Sequence, residues 1–132
     1  MVQQAAYNFA DLVQACKQNE AFVWPPTIRE AKFLNLYTDI QIMDFIADQT
    51  RYTILYLQNS KPFEKWGGDP PVPMVDAYIF SVGPNVRGYL AFYLVPGHKW
   101  NIKSFKRDET VSELQYPFKD YFNKLNDREN MQ

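Results

Sequence analysis

The sequence predicts an α+β fold: N-terminal helices packed on an antiparallel β-meander, with a last helix near the C-terminus. Three observations predict it. Over residues 9–46 apolar residues recur at helical spacing. Between residues 74 and 106 three β-rich runs alternate with turn residues. The chain has 132 residues, 46% of them hydrophobic, which suits one domain whose core needs no staples. That domain is expected over 1–126, with a Pro/Gly-rich loop insertion at 59–73 and a frayed tail at 127–132. Aromatics reach 17%, so much of the core is expected to be ring-filled, with Tyr to spare for a working surface.

Asn8 and Asp11 mark a helix start, and Phe9, Leu12, Val13 and Cys16 form one stripe, so the first helix should run to about Gln18. Ala21 to Trp24 reads as a short extended piece stopped by Pro25-Pro26. Thr27-x-x-Glu30 and Thr38-x-x-Gln41 read as capping boxes. The first would open a short helix burying Ile28, Ala31 and Leu34; the second, a helix burying Ile42, Phe45 and Ile46. Arg51 to Leu57 is rich in β-formers, although it also fits an extension of the preceding helix. Asn59 to Pro73 reads as a loop, since residues 61–73 hold four prolines and two glycines. The strand-like runs are Met74 to Ser81, Gly88 to Val95 and Trp100 to Lys106. Gly83-Pro84-Asn85 and Pro96-Gly97-His98-Lys99 supply the turns. Pro117 is placed to start the last helix, with Phe118, Tyr121, Phe122 and Leu125 on one stripe.

Composition excludes several chemistries. A single cysteine, Cys16, rules out a disulfide framework and any Cys-based zinc finger. A single histidine, His98, rules out a His-rich metal cage, and any Ser/His or Cys/His centre would have to use it as the base. Asp76 and Glu64 do not read as a glycosidase carboxylate pair. The N-terminus lacks the pattern of a signal peptide, and no stretch approaches the length of a membrane helix. A soluble, cytoplasmic protein without a metal or cofactor is expected, with no membrane partner.

The formal charge of −1 hides an asymmetry. Residues 77–107 contain no Asp or Glu but carry Arg87, Lys99, Lys103, Lys106 and Arg107; the rest of the chain is net acidic. Such a block fits a basic face made for an anionic partner, and equally a solvated sheet face that lacks acids.

The last hairpin brings part of this block together. A two-residue turn at Pro96-Gly97 would set Tyr89 opposite Ser104 and diagonal to Lys106. A four-residue loop over Pro96 to Lys99 would set Tyr89 directly opposite Lys106. Both registers put Arg87, Tyr89, Ser104 and Lys106 on one face, continued by Ala91, Tyr93, Ile102 and Trp100, with Lys103 on the other. A phenol beside an ammonium and a guanidinium suits a phosphate, because cations stabilise charge developing on its oxygens. A neighbouring cation is expected to lower the phenol or ammonium pKa toward the proton-transfer range. RNA carries its own nucleophile, the 2′-hydroxyl, so its cleavage needs only proton transfer and charge stabilisation. His98 would join as a base only if its turn folded over this face. Trp66 and Trp100 are candidates to stack on a base, although core packing is the simpler role for Trp100. Cys16 reads as a small buried hydrophobe.

The chain resembles the MqsR (motility quorum-sensing regulator) toxins, a branch of the RelE-like bacterial endoribonucleases. The similarity is scattered over residues 9–107. It is carried by Leu12-Val13-x-Ala15, Val23, Ala31-x-x-Leu34-x-Leu36, Ile42 and Ile46, then by Asp76-x-Tyr78. Its most specific parts are the strands Gly88-Tyr89-Leu90-Ala91-Phe92 and Ile102-Lys103-Ser104-Phe105-Lys106. The resemblance implies a RelE-like sheet, metal-free cleavage of mRNA to a 2′,3′-cyclic phosphate, and an antitoxin protein as partner. It implies Tyr89 and Lys106 as the catalytic pair. Substrate-binding candidates are Arg87, Tyr78 from the Asp-x-Tyr strand, and Lys61 and Lys65 from the loop. Val75 stands where the family has a catalytic Gln, and the Pro-rich loop looks like an insertion. A non-catalytic protein-interaction module on the same fold is the alternative.

Overall fold

The computed structural model describes residues 4–108. They form three α-helices and a five-stranded mixed sheet. In chain order these are α1 (Phe9–Lys17), β1 (Phe22–Val23), α2 (Pro25–Glu30), a 3-10 turn (Ala31–Leu34), α3 (Asp39–Ala47), β2 (Thr53–Pro62), β3 (Met74–Val82), β4 (Val86–Leu94) and β5 (Trp100–Arg107). The expected last helix and the frayed tail lie outside the described residues.

The expected first helix forms as read. The Asn8 side chain caps α1 by accepting from the Ala10 amide at 3.1 Å. Asp11 in the first turn and Lys17 in the last complement the helix dipole. Leu12, Val13, Ala15 and Cys16 are buried. Thr38 likewise caps α3, accepting from the Gln41 amide at 3.1 Å, while Gln41 returns its side-chain oxygen to the Tyr37 amide at 2.7 Å.

The first capping box is corrected. Trp24 holds the cap position of α2, and Pro25 and Pro26 fill the first two helical positions. Prolines have no N–H to be capped there, so the Thr27 hydroxyl is released from that duty. It is buried and donates instead to the Lys103 carbonyl of β5 at 2.6 Å.

The sheet order is β1-β5-β4-β3-β2. β2 to β5 are antiparallel neighbours, as expected of a meander, but β1 adds a short parallel strand beside β5. The sheet is therefore mixed. The sequence boundary at Asn59 is also corrected, because β2 continues to Pro62. Asn59, Ser60 and Lys61 pair with Ala77, Asp76 and Val75. The Ser60 hydroxyl donates to the Asp76 carboxyl at 2.5 Å. The loop that remains is shut at its base by a hydrogen bond from the Phe63 amide to the Pro73 carbonyl.

Residues alternate between two faces of the sheet. On one, Phe80, Leu90, Phe92, Ile102 and Phe105 share a core with Leu12, Ile42, Phe45 and Ile46 of the helices. On the other, Val75, Ala77, Ala91 and Tyr93 form a smaller cluster with Trp24, Phe63 and Trp66. Asp76, fully buried, anchors the N-terminal segment by accepting from the amides of Ala6 and Tyr7 at 3.0 and 2.9 Å. Among the described residues no helix is long and apolar enough to cross a membrane.

Candidate functional site

Tyr89 on β4 stands directly opposite Lys106 on β5. The Lys106 ammonium lies 5.4 Å from the centre of the Tyr89 ring. This juxtaposition arises from a longer turn than expected and a compensating bulge. Leu94 pairs with Trp100, leaving five residues in the turn, and the register then shifts between Ala91 and Phe92. Phe92 faces Ile102 and Ala91 faces Ser104, so Lys103 is the extra residue. The carbonyl that the bulge frees is the one Thr27 binds, and the Trp24 amide donates to the adjacent Ile102 carbonyl at 3.2 Å.

The bulge corrects the expected faces. Ile102 and Trp100 belong to the helix side, where Trp100 packs on Tyr7 and Phe92. Lys103, expected opposite Tyr89, is turned toward it. Its ammonium lies 5.2 Å from the Phe63 ring centre and 5.8 Å from that of Trp24. Lys103 lines a cavity of about 190 Å³ together with Asn59, Phe63, Val75, Tyr89 and Ala91. Lys61 and Glu64 flank the same cavity and pair with each other at 3.5 Å.

Arg87 follows the alternation of Tyr89 along β4 and pairs in register with Ser81, which sets it on the same side of the sheet. Lys65 is exposed in the loop, in a left-handed backbone conformation, and does not line the cavity. Tyr78 is a correction. It lies on the helix side, stacked on Phe92 and edge-on to Phe9, so it cannot share a ligand with Tyr89. Asp76 of the same motif serves the fold, holding the N-terminal segment and Ser60. His98 borders a wide cleft beside α1, with Asp11, Gln14 and Glu20, at the far end of β4 from Tyr89. Trp66 is not poised for stacking on a ligand. Its ring packs against Phe63 and Tyr93, and its indole N–H donates to the Asp69 carbonyl. Cys16 is buried, and burial pushes its thiol up to about 12.

The expected direction for the Tyr89 phenol is also corrected. Burial raises its pKa, and the hydrogen bond with the Asn59 side chain opposes this only in part. The phenol therefore stays protonated at neutral pH and is equipped to donate a proton rather than to take one. The sequence pattern does not point to Asn59, which reads as the start of a loop, or to Phe63, which carries no charge. The alternation of β2, extended to Pro62, would have put Asn59 and Lys61 on one face. No local sequence signal marks the bulge at Lys103.

No protein-family model, no curated protein and no solved structure matches this chain.

Proposed function

We propose that the chain is a metal-independent endoribonuclease of RelE-like type, the toxin of a toxin–antitoxin pair, working on the face that carries Tyr89. The single observation that supports this most is the Tyr89–Lys106 pair beside a half-buried Lys103. Lysines on a sheet surface are common. Two of them converging on a protonated phenol and a cavity suit a phosphodiester, which brings negative charge and needs a proton at its leaving oxygen.

In this reading the RNA 2′-oxygen attacks phosphorus, and the bond from phosphorus to the 5′-oxygen breaks. The products are a 2′,3′-cyclic phosphate and a free 5′-hydroxyl. Tyr89 gives its proton to the departing 5′-oxygen and recovers one from water. The proton of the 2′-hydroxyl passes to solvent. Lys106 stabilises the charge that accumulates on the phosphoryl oxygens. The antitoxin would then be a protein that covers this cationic face.

A second reading, a non-catalytic protein-interaction module, draws on β2. It is an edge strand in which Leu55 and Tyr56 are exposed.

The test is the purified protein with a defined RNA, beside Lys106→Ala and Tyr89→Phe variants of matched thermal stability. The RNase reading expects cyclic-phosphate ends from the parent and a loss of about 100-fold or more in either variant. It also expects RNA affinity to fall steeply with salt, since phosphate contacts release counterions. Intact RNA with folded parent protein would overturn it and leave the interaction module. Tightly induced expression, followed for growth arrest and mRNA loss, tests the toxin role.

A further inference from the structure

We infer that the cavity between Tyr89 and the Pro-rich loop binds one nucleobase, and that Lys103 selects a base with a keto oxygen at purine C6 or pyrimidine C4, guanine or uracil. The inference rests on the RNA reading of this face and names the part of the RNA that the cavity takes. The cavity, about 190 Å³, adjoins the Tyr89–Lys106 pair, where a base of the cleaved dinucleotide would fall. Its walls are of the kind a base requires. Phe63 offers a ring, Val75 and Ala91 an apolar floor, and Asn59 an amide.

Lys103 supplies the selectivity. Its ammonium is held between the Phe63 and Trp24 rings, and among the described residues no carboxylate pairs with it. Its backbone is fixed by the Thr27 hydrogen bond at the bulge. An ammonium only donates hydrogen bonds, so it favours a base edge that presents O6 and N7 of guanine or O4 of uracil. The exocyclic amine of adenine or cytosine would set donor against donor. Lys61 is occupied with Glu64 at the rim and does not compete for this role.

The test is calorimetric titration with guanosine 3′-monophosphate, adenosine 3′-monophosphate and inorganic phosphate, on the wild type, Lys103→Met and Lys106→Ala. The wild type should bind the guanine nucleotide about tenfold more tightly than the adenine nucleotide. Lys103→Met should reduce that preference to less than twofold, lowering affinity for the guanine nucleotide more than affinity for phosphate. Lys106→Ala should weaken all three ligands and keep the preference. In the wild type, the indole N–H resonance of Trp24 should shift with the guanine nucleotide and not with phosphate, a readout independent of how the variants fold. Equal binding of the two nucleotides, a preference that survives Lys103→Met, or a silent Trp24 would overturn the inference. RNA cleavage without base preference would sink the inference and keep the RNase reading. Base preference without cleavage would do the reverse.

Discussion

The two faces of the sheet are built on the same strands and covered in different ways. The helix side is sealed by interlocking rings: Phe45, Phe80 and Phe105 pack within about 6 Å of one another, and their side chains are almost wholly buried. On the other side the loop rings Phe63 and Trp66 and the Trp24 ring rest on Tyr93. Tyr89 stays half-buried on that side, with the exposed Lys106 opposite it. The difference teaches that the loop side stabilises less and is therefore free to hold cations close to a cavity. A charge on the helix side would be desolvated, and the Asp76 carboxyl buried there is held by the amides of Ala6 and Tyr7 and the Ser60 hydroxyl.

The largest effect should come from opening the helix side. Phe92 is fully buried and touches Tyr7, Phe9, Tyr78 and Trp100, so Phe92→Ala should lower stability by about 3–5 kcal/mol in chemical denaturation. Alkaline titration probes the same side. Cys16 is raised from 9.0 to about 12 by burial, and burial also raises Tyr52 strongly. A group raised in the folded state contributes stability that is complete below its unfolded pKa and is lost as pH climbs through the folded one. Melting temperature should hold to about pH 9 and then fall toward pH 12, and Cys16→Ala should remove the earlier part of the fall.

Asp76→Ala should cost about 2–3 kcal/mol, because it strands the amides of Ala6 and Tyr7 and the Ser60 hydroxyl. Faster hydrogen exchange at those two amides would locate the loss. Phe63→Ala removes three ring contacts of the loop and should cost about 1–2 kcal/mol, with faster proteolysis between residues 64 and 72. A cost as large as that of Phe92→Ala would erase the contrast between the faces. Lys106→Ala should change stability by less than about 0.5 kcal/mol, since the side chain is exposed, and under the proposed RNase reading RNA affinity should fall.

Much of the fold was legible. The stripe of α1, the Thr38 cap and the strands β3 to β5 follow from spacing alone, because local periodicity reports which side of an element is buried. The Tyr89–Lys106 pair matches the expected face but by another route: a five-residue turn alone would set Tyr89 opposite Phe105, and the bulge at Lys103 brings Lys106 into place. The site's other half was not legible. Thr27 read as a cap and is a hydroxyl for a distant carbonyl. Tyr78 read as a substrate-binding candidate and belongs to the helix side, because β3 and β4 pair with Tyr78 opposite Leu90 rather than opposite Tyr89.

The sequence by itself determined the element order, the acid-free block and the alternation along each strand. These depend on neighbours a few residues apart. Tertiary structure decided the parallel β1, the bulge and the side to which Lys103 turns. A bulge needs a partner for the carbonyl it frees, and Thr27 supplies that partner from a helix 76 residues away in the chain. No local pattern encodes a hydrogen bond across that separation; it exists only once α2 has packed against β5.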